Sequence, residues 1–475
     1  MSEGAKKFVK DITSMKVDFA KWYTDIVVRA ELIDYSSVRG CVVLRPYGFS
    51  IWENITRILD KKFKEIGVEN VSMPLLIPES LLQREKDHIE GFAPEVAWVT
   101  HGGSEELSER LCIRPTSEVL FCSHFRNVIH SWRDLPKLYN QWCSVVRWEK
   151  TSRPFLRSVE FHWQEGHTMH SSSDEARSFT LKMLNVYFDF IKNNLLIPSI
   201  LGRKTESEKF AGAEETYTIE CMMKDGKALQ SATSHYFGNG FANTFDIKFT
   251  NKNNELEAPY QTSWGLSTRI IASIIMTHGD DDGLVLPPDI APIQVVVVPV
   301  VLNNERVKSE AVRVSKILSD KFRAKVDLSD QTAGWKFSYY EMKGVPVRVE
   351  IGPRDLESES CVIVRRDNRE KEVCKLSNVV DSVGSVLEKV KKNMYNSSLK
   401  FMNSNILNVS SISDIDDFSG FVMMPFCESD ECESLMKEKF CMSARCIPFD
   451  GGASDAPCAV CGKKSSHKVY FARAY

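Results

Sequence analysis

Residues 143–168 read CSVVRWEKTSRPFLRSVEFHWQEGHT, two apolar-polar alternating segments around a basic loop from Lys150 to Arg157. That pattern predicts a β-hairpin. Side chains alternate across a strand, so parity sorts the residues by face. Arg147 and Glu149 fall on one face of the first strand, and Phe161, Trp163, Glu165 and His167 on one face of the second. A guanidinium, two carboxylates, two aromatic rings and an imidazole make a poor half-buried structural face, because each charge taken out of water is costly unless paired. They suit a nucleotide: Arg grips phosphate oxygens with paired donors, and a flat ring stacks on adenine. Taken singly, His167 reads as a core histidine and Trp163 as packing. Their shared parity with Glu165 turns them into a site.

Upstream, Pro46 followed by Phe49, Trp52, Ile55, Leu59, Phe63 and Ile66, stopped by Gly67, predicts a long amphipathic helix. Val68 to Pro74 then reads as a strand ended by proline. Downstream, Asp174 to Asn193 predicts a scaffold helix. The string PPDIAP at 287–292 reads as a stiff linker. Beyond it, Ile293 to Val301 suggests a strand buried on both faces, and Val307 to Phe322 a helix. Strands over Val345 to Ile351 and Ser360 to Arg365, then a helix over Leu376 to Lys392, complete a small α/β pattern. A polar stretch, Asn393 to Ser413, separates it from a cysteine-containing tail. The expected domains are therefore 1–288, 289–395 and 396–475.

The chain has 475 residues, 43% hydrophobic and 26% charged, with a net charge of −3. This excludes a general polyanion binder, which needs excess Lys and Arg, so any RNA contact must be local. No apolar run is long enough to cross a bilayer. Met1 to Lys10 carries lysines without an apolar core, unlike a secretory signal, and a cytoplasmic location is expected. Of 13 cysteines, nine are scattered singly, as reduced thiols in the cytosol are. The other four, Cys427-x4-Cys432 and Cys458-x2-Cys461, have the spacing of a tetrahedral four-thiolate zinc site. Free or redox thiols are the alternative, and Cys441 and Cys446 are further candidate ligands.

Val146-Arg-Trp-Glu149 with Arg157-x-x-x-Phe161 resembles motif 2 of the class II aminoacyl-tRNA synthetases. Gly265-Leu-Ser-Thr-Arg269 leading into a helix is similar to motif 3 (263–278), and the segment from 46 to 78 to motif 1. The blocks Pro115-Thr-Ser-Glu118, Trp163-Gln-Glu-Gly-His167, Gly202-Arg-Lys-Thr-Glu206, Lys209-Phe-Ala-Gly212, Thr233-Ser-His235 and Trp335-Lys-Phe narrow the resemblance to prolyl-tRNA synthetases of the archaeal and eukaryotic type. The resemblance implies an α+β fold: an antiparallel catalytic sheet with flanking helices, an α/β anticodon-binding domain and a small zinc-associated C-terminal α/β domain. It also implies a homodimer through motif 1, with L-proline, ATP, Mg²⁺ and tRNA(Pro) as ligands.

By the same resemblance, Arg147 binds the α-phosphate and the substrate carboxylate, Phe161 and Arg269 sandwich adenine, and Arg157 reaches the outer phosphates. Glu149, Gln230 and Thr233 complete the ATP site. Thr116 and Glu118 hold the prolyl ammonium, and Trp163, Glu165, His167, Phe210, His235, Ser263 and Gly265 wall the ring. Ser267 and Thr268 stand where many motif 3 segments carry an acid, which leaves the Mg²⁺ ligands open. A small apolar pocket rejects alanine and cysteine poorly, since one methylene is worth about 1–3 kcal/mol. The interval from Thr168 to Thr262 nevertheless suggests no editing domain. Arg348, Glu350 and Arg354 are candidate anticodon contacts, against the alternative of solvated charges at strand ends. Two other readings remain: a synthetase for another small amino acid, and an inactive RNA-binding paralogue, which would be expected to lack one of Arg147, Phe161 and Arg269.

Overall fold

A computed structural model describes residues 12–86 and 95–475; the lysine-bearing start of the chain lies outside the described residues. The predicted hairpin forms from Lys137–Val146 and Glu160–His170, with Val145 opposite Phe161 and Tyr139 opposite His167. It is extended by Tyr260–Ser267, Ala228–Gly238, Glu215–Met222 and Ser199–Arg203, all antiparallel, while Glu69–Asn70 adds a parallel edge. Parity holds along the hairpin: even-numbered residues face a helical layer and odd-numbered ones face a cavity. On the packed face, Gly166 must lack a Cβ, because one would lie 2.2 Å from the Trp264 ring. There Gln164 accepts from the Tyr187 hydroxyl and donates to Asn140 Oδ1 at 2.7 Å. The covering helices are Pro46–Glu65, Ser173–Asn193 and Arg269–His278, whose apolar stripes form the largest core. Burying such stripes is what makes the helices stable.

Three expectations are corrected. The strand expected over Val68 to Pro74 shrinks to Glu69–Asn70. Beyond it side chains replace the ladder: Met73 N donates to Gln141 Oε1 (2.9 Å), and the Met73 and Pro74 carbonyls accept from Arg114 Nη1. The first hairpin strand stops at Val146, so Arg147 and Glu149 do not share a strand face. Arg147 N still donates to Val159 O at 2.8 Å, whereas Glu149 N donates to Arg147 O in the loop. The polar stretch after 392 is not a linker, since one helix runs Val379–Ser404 across the boundary expected at 395. Asn396, Ser397, Asn403 and Ser404 are its outer face, Asn393 and Ser398 turn inward to Asp367 and His278, and Phe401 and Met402 pack against Met222, Ala228, Phe421 and Ala472.

The middle sheet has five strands in the order Ala324–Val326, Val295–Pro299, Val347–Ile351, Ser360–Arg365 and Lys371–Lys375. Val295–Pro299 is buried along its whole length, as its unbroken apolar run predicts. The tail strands do not form a separate sheet. Ser443–Pro448 pairs antiparallel with Ser199–Arg203, and His467–Ala472, Phe421–Phe426 and Ile406–Asn408 follow, giving a single sheet of 11 strands. Among the described residues no helix is long and apolar enough to cross a membrane.

Candidate active site

Strand register gathers the site. One row across the sheet runs Tyr139, His167, Ser263, His235, Thr216, and the next runs Gln141, Glu165, Gly265, Thr233, Thr218. Residues directly opposite on neighbouring strands point to the same side of a sheet, so each row keeps its side chains on one face. From His167 to Thr216 in the first row and from Glu165 to Thr233 in the second, they floor a cavity of about 290 Å³, walled further by Thr116, Glu118, Arg147, Trp163, Phe210 and Gln230. Gln230 and Thr233 lie three residues apart and by simple alternation would point oppositely. A register shift, in which Ile219 faces Ala232 and Glu220 faces Gln230, takes up the extra residue and returns Gln230 to the cavity face. All residues expected to wall the prolyl ring line this cavity.

Charge in the cavity is held by fixed partners. Glu165 accepts from Ser117 N (3.1 Å), Gln141 Nε2 (2.7 Å) and His167 Nε2 (3.1 Å), with Thr116 Oγ1 at 3.5 Å. It sits at the start of helix Glu118–Val128, where the dipole favours an anion. Burial opposes its ionisation, but the His167 contact and charge and the Ser117 and Gln141 hydrogen bonds outweigh burial and hold its carboxyl down at about 2. For His167 burial again opposes charge. The charge and hydrogen bonding of Glu118 and Glu165 prevail, raising it to about 9. Its ring also stacks on Phe121 at 4.2 Å. His235 goes the other way, pushed to about 3 by burial and then by the charge of His167, so it stays neutral between Thr216 Oγ1 (3.0 Å) and Thr233 Oγ1 (3.1 Å). Glu118 Oε1 lies 3.5 Å from His167 Nδ1 and otherwise has no hydrogen-bond partner among the described residues. A buried oxygen left short of donors in a cavity marks where a ligand donor belongs.

Arg147 stands at the cavity mouth. Its Nε donates to Pro115 O (3.1 Å), and its guanidinium lies 5.2 Å from the Trp163 ring and 5.6 Å from that of Phe161. Phe161 itself lines an adjoining hollow of about 310 Å³ with Leu44, Phe155 and Thr268. Arg269 is fixed by Nε to Leu156 O (3.2 Å). Burial lowers its proton affinity, and the charges of Arg147 and Arg157 push the same way. Arg157 is exposed, with Nε 3.7 Å from Glu149 Oε2. Three guanidinium groups converging with only the loose Arg157–Glu149 pair between them describe a seat for an anion. Glu208, Thr216 and Trp264 also line the cavity, and Gln141 anchors Glu165, none of them anticipated. The hairpin's parity signals Gln141, and alternation in Thr216-x-Thr218-x-Glu220 signals Thr216.

Elsewhere, Arg348 and Glu350 lie on the central strand of the middle sheet. Both are buried and bonded to each other (2.9 Å), with Arg348 also on Glu341 (3.0 Å), so they are not solvated charges. Arg354 is exposed, on the short helix Pro353–Glu357. In the tail, the Sγ atoms of Cys427, Cys432, Cys458 and Cys461 all lie within 4.8 Å of one another. Cys427 is 3.6 Å from Cys432 and 3.7 Å from Cys461. Four sulfurs at a Zn–S distance of about 2.3 Å around a tetrahedral ion stand roughly 3.8 Å apart. The donor set therefore fits zinc, whereas Cys441 and Cys446 fall outside the cluster.

Residues 98–278 match the family model described as "tRNA synthetase class II core domain (G, H, P, S and T)". Residues 294–385 match "Anticodon binding domain", and residues 413–475 match "Prolyl-tRNA synthetase, C-terminal". The chain is 57% identical over 474 residues to a proline–tRNA ligase of Ruminiclostridium cellulolyticum, covering 99% of each. It is 52% identical over 475 residues to "Proline--tRNA ligase 2" of Bacillus thuringiensis subsp. konkukian, covering 99% of this chain and 100% of that one. A crystal structure of the Cryptosporidium parvum prolyl-tRNA synthetase complexed with halofuginone and AMPPNP superposes with a TM-score of 0.94 at 38% identity, over 98% of this chain and 99% of that one.

Proposed function

This chain belongs to the proline–tRNA ligases, a family of class II aminoacyl-tRNA synthetases, and from that premise we propose that its cavity seats L-proline beside ATP, joins them as prolyl-adenylate and passes proline to the 3′ end of tRNA(Pro). The observation that carries this reading is the pair of sheet rows that bring Glu165, His167 and His235 under Arg147 in one cavity. Glu118 and Thr116 take the secondary ammonium. Trp163, Phe210, His235, Ser263 and Gly265 enclose the ring, with Glu165 and His167 fixing the floor.

A carboxylate is already ionised at neutral pH, so its attack needs no general base. Its oxygen forms a bond to the α-phosphorus of ATP as the bond to the bridging oxygen breaks, and pyrophosphate leaves with the electron pair. Alignment and charge neutralisation are what the protein supplies. Arg147 bridges the substrate carboxylate and the α-phosphate, Arg157 reaches the outer phosphates, and Phe161 and Arg269 hold adenine between them. Gln230, Thr233 and Glu149 complete the nucleotide's contacts. In the second step a terminal ribose hydroxyl of the tRNA attacks the prolyl carbonyl, and AMP leaves. Mg²⁺, when bound, neutralises phosphate charge. Glu149, whose carboxylate meets Arg157 at a loose 3.7 Å, is the acid placed to reach it, whereas the Glu220 oxygens are already taken by Lys204, Thr218 and Arg445.

Cys427, Cys432, Cys458 and Cys461 would hold a structural Zn²⁺, supported by their sulfur spacing. The exposed apolar residues Tyr35, Val38 and Val43 beside the Pro46–Glu65 helix support a homodimer through motif 1. The domains divide near 288 and after the long helix. Arg354 would touch the anticodon, with the Arg348–Glu350 pair shaping the adjacent surface. The match to the eukaryotic structure supports the archaeal and eukaryotic type, although the two ligases of higher identity are bacterial, and a cytoplasmic location accords with the substrates. Proline-dependent ATP–pyrophosphate exchange with the purified chain tests the core reading. It falls if another amino acid supports faster exchange than proline.

A further inference from the structure

The tail strand Ser443–Pro448 lies against the catalytic strand Ser199–Arg203, with Ile447 opposite Arg203 and Pro448 opposite Gly202. The approach is close enough that a Cβ on Gly202 would sit 2.3 Å from Ile447 O. This contact delivers Arg445 into the catalytic sheet. Arg445 donates through Nε (3.0 Å) and Nη2 (2.9 Å) to Glu220 Oε2, while Lys204 Nζ (3.1 Å) and Thr218 Oγ1 (2.8 Å) take Oε1. Glu220 is wholly buried and both cations nearly so. Glu220 faces Gln230 across the register shift and follows Thr216 and Thr218 along the cavity face.

Mortar between two domains would be expected to balance its charges, because an unmatched buried charge is costly. Here two cations hydrogen-bond one carboxylate, with Glu208 acting on Arg445 without a hydrogen bond, and the charge of Arg445 is felt by Arg269 where Arg147 and Arg157 converge. We propose that Arg445, contributed by the C-terminal domain, is a positioning residue for ATP: by occupying Glu220 it keeps that carboxylate from drawing the Arg269 guanidinium off the nucleotide. Remove Arg445, and Glu220 keeps one buried oxygen without a charged partner. Glu220 pairs with Gln230 on the strand Ala228–Gly238, the next strand over is Tyr260–Ser267, and Arg269 opens the helix that follows it, within the field of both Glu220 and Arg445. A guanidinium turned toward Glu220 no longer stacks on adenine.

The inference rests on the assignment of Arg269 to ATP. Arg445→Met, which keeps the stem and removes the charge, is expected to raise KM for ATP about tenfold, the scale of one charge-assisted hydrogen bond, with KM for proline changed less than twofold. Adding Glu220→Gln to that variant removes the competing carboxylate, and the double variant returns toward the parent's ATP value. If Arg445→Met does not fold, Arg445→Lys, which loses the paired donors, is compared with its own Glu220→Gln double in the same assay. Equal shifts in both KM values, a fall in kcat alone, or a double variant no better than the single would each overturn the proposal. A parent protein without proline-dependent exchange would instead overturn the ATP assignment beneath it.

Discussion

Replacing Arg147 with alanine separates the catalytic reading from a structural one. The side chain donates one hydrogen bond, to Pro115 O, and lies over two rings. Among the described residues its remaining donors make none. Folding therefore gains little from it: one hydrogen bond worth about 1 kcal/mol and partly exposed cation–π contacts of about 0.5–1 kcal/mol each, offset by the cost of burying the charge. Stability should fall by no more than about 2 kcal/mol. The unused donors are those that would meet the α-phosphate and the prolyl carboxylate. Two charge-assisted hydrogen bonds at about 1.5–3 kcal/mol each correspond to roughly 10²–10⁴ in rate. Proline-dependent pyrophosphate exchange should drop by that factor while a denaturant titration moves only slightly. Exchange within threefold of the parent, in a protein of unchanged stability, would refute the assignment of Arg147 and the transition-state argument built on it.

Phe161→Ala should raise KM for ATP roughly 5- to 100-fold, the scale of aromatic stacking on a base, and leave KM for proline nearly unchanged; equal effects on both would remove Phe161 from the adenine site. The value of about 9 for His167 lies above its unfolded value, so its pairing with Glu165 and Glu118 stabilises the fold fully below about pH 6.5, and that contribution disappears as pH rises through about 9. Unfolding free energies from urea titrations at pH 7 and pH 10 should differ by at most about 3 kcal/mol more in the parent than in His167→Gln, and identical losses would show that other groups set the alkaline limit. Metal analysis of protein purified without chelator should find about one zinc per chain, and Cys458→Ser should lose the metal and lower the melting temperature. A metal-free parent with an unchanged melting temperature would favour the free-thiol reading.

The hairpin was readable because alternation is local. Once two strands are placed, parity alone puts Phe161, Trp163, Glu165 and His167 together, and it would have added Gln141. The partners of Glu165 in Ser117, and of His167 in Glu118, come from a helix start 40 or more positions away in the chain, and no spacing rule links them. Resemblance to motifs supplied those positions instead. Gln230 shows the opposite limit: its spacing from Thr233 argues against a shared face, and only the register shift at Ile219/Glu220 reconciles them. The polar stretch after Lys392 misleads for another reason. Asn393 to Ser404 is polar because one side of a long helix meets solvent and because Asn393 and Ser398 bond inward to Asp367 and His278, and composition cannot distinguish that from a linker when apolar anchors such as Phe401 and Met402 are sparse.

A metal held by Cys427, Cys432, Cys458 and Cys461 would bear on the reaction without touching it. Without Ser443–Pro448, the strand Ser199–Arg203 would be the edge of the catalytic sheet, with unpaired backbone groups facing water. The same loss would strip Arg445 from Glu220, leaving a wholly buried carboxylate with Lys204 as its one charged partner. The four cysteines flank the strands that hold Ser443–Pro448 in line: Cys427 follows Phe421–Phe426, Cys432 lies in helix Asp430–Phe440, and Cys458 and Cys461 precede His467–Ala472. A metal at that cluster would act on catalysis through sheet continuity rather than through chemistry. Its loss should therefore first appear as weakened ATP binding, with proline binding, which relies on residues outside the tail, affected later.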